Sequence, residues 1–293
     1  MIARIVVVGN PARLSCRLQQ LVVDPDDGES ATVPLEDLGI LILDHPRLTT
    51  TQAMWSACAE HNVAVVICDA QHLPTATLTP LSGHTLHSRT LAMQVATKAP
   101  ARKRLWQAII RAKIREQGKV LESVVASDSG LKHLIARVRS GDPDNIEAQA
   151  ARIYWAKLFG PEFRRRSGSG GRNGALNYGY AILRAAVARA VVGAGLHPAV
   201  GIHHHNQYDA LCLADDLMEP LRPLVDLEVF LMWRGGDGDG LDAAHKQRLL
   251  AVLGKSCTYR GRQLPVMVAL HEYVASIKQA MAGGEYPVEI PAL

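Results

Sequence analysis

The hydrophobic pattern of this 293-residue chain changes period once, near residue 84, and that change limits its fold more than any other feature. Before it, short β-branched and apolar runs of strand length are separated by turn-forming residues. After it, apolar residues recur every three or four positions through eight segments, as in helices that bury one face. The pattern predicts an α+β protein: a small N-terminal β-sandwich-like domain over residues 1–80, followed by a larger all-helical domain over residues 81–293.

Three local patterns in the first domain make specific predictions. Residues 14–23 alternate polar and apolar positions and predict one strand, which ends at an Asp- and Gly-containing turn. Pro34 places the short strand at residues 32–35 on a sheet edge, because proline cannot donate a backbone hydrogen bond. Residues 49–61 have helical spacing and threonine caps, and they predict the one helix of this domain.

The second domain is expected to be organised around one buried helix. Residues 176–194 are alanine-rich and apolar almost all round, which is typical of a helix without a solvent-exposed face. Pro220 should bend the helix that precedes it, because its ring crowds the carbonyl of Asp216. The predicted helices span residues 91–97, 104–117, 130–139, 146–159, 176–194, 210–219, 241–253 and 265–281.

Composition excludes several classes of protein. Five widely spaced cysteines without a CxxC pair argue against a disulfide framework or a cysteine zinc site, and favour a reduced intracellular protein. No apolar stretch approaches the roughly 20 residues of a membrane span, and the apolar run near the N-terminus is too short for a signal peptide. We therefore expect a cytoplasmic protein with no membrane partner. The formal net charge is only +4, so any basic surface must arise from local clusters.

Acidic residues and histidines between residues 203 and 219 form one candidate metal site. Asp216 and Glu219 are three positions apart, so that on a helix their carboxylates share one face. A histidine from the triplet at residues 203–205 could add an imidazole if its loop folds back. Such an oxygen-rich donor set suits Mg²⁺ or Mn²⁺ better than zinc, and three consecutive histidines point in different directions and cannot all bind one ion. The same pattern also fits an ordinary solvated helix face.

Glu147 is a second candidate, because it lies on an apolar helix face. Asp142 and Pro143 are expected to be the N-cap and the first residue of the helix, and Glu147 then projects beside Tyr154 and Leu158. A charge on a face that should be buried needs a counter-ion or a metal. Alternatively, the carboxylate stays hydrated near the helix N-terminus, where the helix dipole favours it.

Basic residues cluster in two parts of the second domain. Residues 89–119 carry many cations against the single acid Glu116, and arginines flank a glycine- and serine-rich stretch at residues 167–171. Such clusters neutralise nucleic-acid phosphates, and Trp106 or Tyr178 could stack on frayed bases. Solvated helix faces are the alternative interpretation. The candidate DNA-binding residues are Arg102, Lys103, Arg104, Arg164, Arg165, Arg166, Arg172 and Tyr178.

Several separated motifs resemble one protein family in their order along the chain. After Asp142-Pro143 and Glu147 come NGALNYGY at residues 173–180, GLHPAVGIHH at residues 195–204 and DLMEPLRPLVD at residues 216–226. This order resembles that of the CRISPR-associated adaptation integrases, the larger of the two universal spacer-acquisition proteins. The HHHNQ version of the histidine motif and the short length are similar to the type II branch.

The resemblance implies a metal-dependent enzyme that inserts captured foreign DNA fragments as new spacers into a CRISPR array, and that also acts as a DNA endonuclease. Glu147, His204 and Glu219 match the family's catalytic metal ligands for Mg²⁺ or Mn²⁺. Asp216 is a candidate accessory group, and His205 is the alternative imidazole. The attacking group would be water in nuclease action and the 3′-hydroxyl of the captured fragment in integration.

The resemblance also implies an assembly. Members of the family form homodimers through their N-terminal domains, and two dimers flank a dimer of a small ferredoxin-like adaptation protein in a heterohexamer. The DNA partners would be a double-stranded fragment and the CRISPR repeat. Two other functions stay open from the sequence: a catalytically silent DNA-binding scaffold, and a general metal-dependent phosphodiesterase acting on RNA.

Overall fold

The structure of the protein is a computed structural model that describes residues 4–81, 83–125, 130–166, 170–234, 240–283 and 288–292. Its N-terminal part is rich in strands and has one α-helix within residues 4–81, α1 (Gln52–Glu60), as predicted. The strands of this part are β1 (Arg4–Val8), β2 (Ala12–Arg17), β3 (Gln20–Pro25), β4 (Ala31–Pro34), β5 (Leu38–Leu43), β6 (Thr49–Thr50), β7 (Ala64–Cys68) and β8 (Pro74–Leu78).

Two four-stranded sheets pack against each other in this part. One has the order β4-β3-β2-β6, which places β4 and its Pro34 on an edge as expected. The other has the order β1-β5-β7-β8, in which β1, β5 and β7 are parallel. All of β5 is buried, since Leu41 and Leu43 join the core between the sheets while Ile40 and Ile42 join the helical core. The β-sandwich-like expectation is therefore confirmed, and one sheet is covered on both faces.

Residues 14–23 do not form one strand, so that prediction is wrong. β2 and β3 are antiparallel and turn back at Leu18 and Gln19, which both have left-handed backbone angles, φ 51° and 58°. A two-residue turn with positive φ at both central positions matches the twist of paired strands. Neither residue is a glycine or an asparagine, and the alternation of polar and apolar positions therefore runs through the turn without a signal.

The C-terminal part is helical and packs around one buried helix. Its helices are α2 (His87–Val95), α3 (Ala99–Val125), α4 (Leu131–Arg137), α5 (Ile146–Phe159), α6 (Gly171–Gly193), α7 (Cys212–Met218), α8 (Arg222–Trp233), α9 (Ala243–Ala251) and α10 (Val266–Met281). α6 is buried on nearly every side, and it contacts four other helices as well as β5, β7 and β8. The apolar pattern predicts this central position correctly.

The helical part departs from the prediction at three places. Two short strands, β9 (Ser256–Tyr259) and β10 (Arg262–Pro265), form an antiparallel hairpin, which the prediction of an all-helical domain missed. Four-residue strands are too short to display a clear period of two, so the pattern does not reveal them. α3 continues past Gly118, because apolar residues beyond this glycine keep the helical spacing. α8 was not predicted as a separate helix.

The strand-rich and helical parts meet near the predicted boundary at residue 80. β8 ends at Leu78 and α2 begins at His87. Across this boundary the Arg189 guanidinium donates to the carbonyl of Asn62 at 2.7 Å, and the Asn62 amide donates to the carbonyl of Arg189 at 3.2 Å. That residues 1–80 and 81–293 are separate domains stays a prediction.

None of the helices in the described ranges is long and apolar enough to cross a membrane.

A buried polar cluster joins α5, α6 and α8. Asp226 is 1% exposed, and its carboxylate accepts hydrogen bonds from the hydroxyls of Tyr154, at 3.0 Å, and Tyr180. Burial raises the pKa of Asp226 to about 7, although the two tyrosines favour the charged form. The folded protein therefore keeps a proton on this carboxyl at pH values where the unfolded chain has lost it.

Substitution of Asp226 by asparagine should change the pH dependence of stability. The wild-type free energy of unfolding falls as pH rises from about 4, the pKa of an unfolded aspartate, to about 7, the pKa in the folded protein. Asp226→Asn lacks this titration, so its stability relative to wild type should rise across that range by about 2–4 kcal/mol. Urea unfolding at several pH values measures the difference, and parallel pH profiles would contradict the prediction.

Candidate functional site

Two of the predicted ligands meet at a buried lysine. The ammonium of Lys113, on α3, lies 2.5 Å from Glu147 Oε1 on α5 and 2.5 Å from Glu219 Oε2 in the 3₁₀ turn after α7. The ammonium donates a hydrogen bond to Glu147, and its contact with Glu219 is an ion pair. Lys113 and Glu219 are buried, whereas the side chain of Glu147 is 28% exposed. Glu147 thus has the counter-ion expected of a charge on an apolar face, together with partial contact with solvent.

Glu147 is held in position by the way α5 begins. The helix starts at Ile146 with Asn145 as its N-cap, so the prediction of Asp142 as N-cap and Pro143 as first helical residue is wrong. Asp142 still serves this helix end, because its carboxylate accepts the amides of Ile146 and Glu147 at 3.0 Å each. Asn145 has a left-handed backbone, φ 50°, which adds a turn that the spacing does not reveal.

Glu219 is positioned by the break at Pro220. α7 stops just before it, and the 3₁₀ turn Glu219–Leu221 leads into α8, as the predicted bend requires. Arg222 Nε lies 3.0 Å from Glu219 Oε1, whereas the Lys113 contact is with Oε2. The two glutamates of the site are therefore balanced by two cations, Lys113 and Arg222.

This pairing keeps the buried groups charged. Burial acts to lower the pKa of Lys113, but Glu219 and Glu147 outweigh it and the pKa lies above its ordinary value. Burial likewise acts to raise the pKa of Glu219, but Lys113 and Arg222 outweigh it and the pKa lies below its ordinary value. At neutral pH Lys113 and Glu219 consequently stabilise each other's ionised forms.

Asp216 holds the histidine loop in place. It is fully buried, and its carboxylate accepts the backbone amides of Ile202 at 2.5 Å, His203 at 2.9 Å and His204 at 3.2 Å. Gly201 permits this tight loop, because a Cβ there would collide with the carbonyl oxygen of His204. These hydrogen bonds engage both carboxylate oxygens, so the structure gives Asp216 a supporting role in place of the expected accessory ligand role.

His204 is the histidine of the triplet that interacts with the acidic residues. Its Nδ1 lies 2.6 Å from Asp216 Oδ1, and this hydrogen bond raises the pKa of His204. Burial acts in the opposite direction, but the negative charges of Asp216 and Glu219 add to the increase. With Nδ1 bound to a carboxylate, Nε2 is the ring nitrogen that could bind a metal, as in many metal-binding histidines. Both histidines are exposed, but His205 Nδ1 contacts the carbonyl of His203, and His205 forms no ion pair with a carboxylate among the described residues. The structure therefore favours His204 over His205.

Trp106, on α3, supports the same loop. Its buried ring stacks on His203 with a centroid distance of 4.2 Å and an interplanar angle of 3°, and it meets the His204 ring edge-on at 5.6 Å. Burial lowers the pKa of His203, which favours a neutral ring against the indole. The predicted stacking of Trp106 on DNA bases is wrong, because both the burial and the histidine remove its face from solvent.

The donor types of the site suit a divalent metal, but their present arrangement is ion-paired. Within the described residues, no three His, Cys, Asp or Glu side chains are grouped so that they could hold a metal ion. Glu147 and Glu219 instead share the Lys113 ammonium, so their oxygens already converge on one cation. Two carboxylates and an imidazole are ligands that suit Mg²⁺ or Mn²⁺. The side-chain types thus suit such an ion, while the two carboxylates are at present paired with Lys113.

The first basic cluster is only partly available to DNA. Lys103 and Arg104 are exposed near the start of α3. Arg102 is half-buried, and its guanidinium donates to two carbonyls at the end of α2, at 3.3 Å each. Lys113, which the sequence groups with these residues, is the buried lysine of the site. Arg102 therefore has a structural role, while Lys103 and Arg104 keep the surface position that DNA binding requires.

The second basic cluster surrounds the start of α6. Arg165 donates to the side-chain oxygens of Asn173, at 3.1 Å, and Asn177, at 2.6 Å, and so anchors the helix. Residues 167–169 of the predicted glycine- and serine-rich stretch lie outside the described residues. Three further arginines lie beside this helix start, two of them exposed and the last half-buried: Arg164, Arg166 and Arg172.

Tyr178 is fully buried in α6, so its predicted role in DNA binding is wrong. Lys246 Nζ lies 5.5 Å from the centroid of its ring. The tyrosine hydroxyl is also buried and has no hydrogen-bond partner among the described residues. The two expectations for α6 were in conflict, since a helix buried on every side leaves no ring free to stack on a base.

Lys113 is the site residue that sequence reasoning missed. It lies on the face of α3 that also carries Ile109, Ile110 and Gln117, all of them buried. A cation on an apolar helix face needs an anionic partner for the same reason that Glu147 needs a counter-ion. The sequence therefore marks Lys113 as a charge that needs a partner, but it does not say which carboxylates supply it.

Comparisons with known proteins agree with this architecture. A family model described as CRISPR associated protein Cas1 matches residues 5–247. A CRISPR-associated endonuclease Cas1 from Neisseria meningitidis serogroup C (strain 8013) is 36% identical over 283 residues, which cover 94% of this chain and 91% of the relative.

Two solved structures share the fold. A casposase bound to integration product has a TM-score of 0.80 and 19% identity, and the match covers 98% of this chain and 92% of that chain. A chain of a Cas6-RT-Cas1--Cas2 complex has a TM-score of 0.75 and 22% identity, over 96% of this chain and 35% of that chain. Assignment to the type II branch stays a prediction. Because the family model and the Neisseria relative both match most of its length, the chain belongs to the CRISPR associated protein Cas1 family, as its ordered motifs predict.

Proposed function

We propose that this chain is a divalent-metal-dependent DNA endonuclease and integrase that inserts captured foreign DNA fragments as new spacers into a CRISPR array. The observation that carries the proposal is the convergence of Glu147 and Glu219 on one cation. The Neisseria relative is named an endonuclease, and the similar casposase was solved with an integration product. Both descriptions support phosphodiester chemistry as the activity of this chain.

The proposed metal ligands are the carboxylates of Glu147 and Glu219 and Nε2 of His204, with Mg²⁺ or Mn²⁺ as the ion. When bound, this ion supplies a Lewis acid that stabilises negative charge on the reacting phosphate. Asp216 orients the His204 ring through Nδ1, and Arg222 neutralises one oxygen of Glu219. The chain thus presents one imidazole and two carboxylates, with a buried aspartate and a half-buried arginine as their supports.

Integration in this proposal is a transesterification. The 3′-hydroxyl oxygen of the fragment forms a bond to a phosphorus of the repeat strand, and the bond from that phosphorus to its own 3′-oxygen breaks. One phosphodiester replaces another, so the step needs no external energy source. Water takes the place of the hydroxyl when the same site cleaves DNA.

DNA and protein partners follow from the surface of the chain and from its relatives. The exposed cations Lys103, Arg104, Arg164 and Arg166 would contact the phosphates of the double-stranded fragment and the CRISPR repeat. We also infer a homodimer that binds a small ferredoxin-like adaptation protein in a heterohexamer. A similar chain occurs in a complex described as containing Cas1 and Cas2, which supports a partner of this kind.

Glu147→Gln and Glu219→Gln should each abolish strand joining, because an amide cannot supply the negative charge that holds a divalent ion. We expect the rate of Mn²⁺-dependent joining between a labelled 3′-hydroxyl fragment and a repeat-containing duplex to fall at least ~100-fold. Binding of the duplex in the presence of a chelator should not weaken, since the surface cations are unchanged.

Glu228→Gln is the matched control for these variants. Glu228 is also a buried glutamate paired with two cations, Lys255 and Arg248, but it has no role in the proposed site. It should join strands at the wild-type rate. Full activity in Glu147→Gln and Glu219→Gln would instead support a catalytically silent scaffold, and preferential cleavage of RNA in a substrate panel would support a general phosphodiesterase.

Variants of the two candidate histidines should differ in the same strand-joining assay. His204→Ala removes the imidazole that Asp216 orients, so strand joining should fall at least ~100-fold. His205→Ala removes an exposed ring and should stay within about threefold of wild type. Equal losses of strand joining in the two variants, or a larger loss in His205→Ala, would contradict the assignment of His204 as the metal ligand.

A further inference from the structure

Lys113 stands where the proposed metal would have to bind. Its ammonium contacts one oxygen of each glutamate at 2.5 Å, whereas Mg²⁺ binds oxygen at about 2.1 Å. An ion that contacted the same two oxygens would overlap the ammonium. We propose that Lys113 is the resident counter-ion of the metal-free site, and that a divalent ion binds by displacing its ammonium from Glu147 and Glu219; this inference rests on the proposed function.

The burial of the site explains why a resident cation is needed. Glu219 is 5% exposed and Lys113 is 9% exposed, so neither charge is solvated by water. Without Lys113, Glu219 would keep Arg222 as a partner, whereas Glu147 would have no ion-pair partner among the described residues. Leaving a buried charge without its partner is strongly destabilising, and the metal-free protein therefore depends on this ammonium for its stability.

The chemistry of lysine suits a cation that must leave. An ammonium is a point charge on a flexible four-carbon stem, and it can withdraw by rotation of the side chain while α3 stays in place. Arg222 differs, because its guanidinium lies 4.7 Å from the centroid of the Tyr180 ring as well as against Glu219. Arg222 is thus fixed by a second contact, and Lys113 is the exchangeable member of the pair.

Lys113→Met in the full-length protein tests the proposal through metal affinity. Methionine preserves much of the length of the side chain and removes the competing charge. The dissociation constant for Mn²⁺, measured by titration calorimetry, should fall at least ~10-fold relative to wild type, because the ion no longer has to displace a cation. The metal-free variant should melt at a lower temperature than wild type, and saturating Mn²⁺ should raise its melting temperature by more than it raises that of wild type.

Lys246→Met is the matched control. Lys246 also forms a largely buried ion pair, with Asp44 at 2.7 Å, and its side chain is 14% exposed against 11% for Lys113. Its loss should lower the melting temperature and leave the affinity for Mn²⁺ unchanged. A purely structural role for Lys113 would make the two variants behave alike.

A second measurement uses wild-type protein and so does not depend on the folding of a variant. Reductive methylation followed by mass spectrometry reports which amines are accessible. Lys113 should be protected in metal-free protein and should react when saturating Mn²⁺ is present, while Lys246 should react equally in both conditions.

The outcomes separate the two proposals. Absence of Mn²⁺ binding in wild type and in Lys113→Met would overturn the metal site itself, and this inference with it. Normal Mn²⁺ binding in wild type, with equal or weaker binding in Lys113→Met, would overturn the role of Lys113 and leave the metal site standing. Unchanged protection of Lys113 from methylation in metal-saturated protein would also overturn the role of Lys113 and leave the metal site standing.

Discussion

A charge removed from water needs a partner, and this constraint assembles the site of the protein. Lys113 lies on the buried, apolar face of α3, so its ammonium needs carboxylates from other elements as partners. Those carboxylates lie at the start of α5 and in the turn after α7, far apart along the chain. Breaking such a buried pair costs about 3–5 kcal/mol. Correct placement of Glu147 and Glu219 is therefore a condition of stable folding as well as of the proposed metal site.

The aspartates and glutamates of the site have different roles, which follow from the lengths of their side chains. Asp142 accepts the first amides of α5, and Asp216 accepts the amides of the histidine loop. The short side chain of aspartate suits such hydrogen bonds to nearby backbone. Glu147 and Glu219 have one more methylene group and reach across to a neighbouring helix. The aspartates thus fix the backbone from which the glutamates extend.

Features that depend on a single segment of the chain could be predicted from the sequence. Contacts between segments could not. The buried character of α6 and the break at Pro220 are local consequences of composition and of proline geometry, and both are found. The turn at Leu18 and Gln19 has no residue that marks positive φ, so it was missed. Glu147 could be recognised as a charge on an apolar face, but its pairing with Lys113 depends on how α3 and α5 pack. The same limit explains Tyr178, whose burial is a property of the whole assembly.

The double burial of β5 has a consequence for how proteins of this kind can recombine. Its outward residues Ile40 and Ile42 belong to the helical core, so the sheet and the helices that cover it must match in shape. A crossover between two relatives near residue 80 would combine a sheet from one parent with its covering helix from the other. Mismatched side-chain volumes at that seam would cost about 1–3 kcal/mol each. The position where the sequence changes character most visibly is thus a poor place to join halves of different origin.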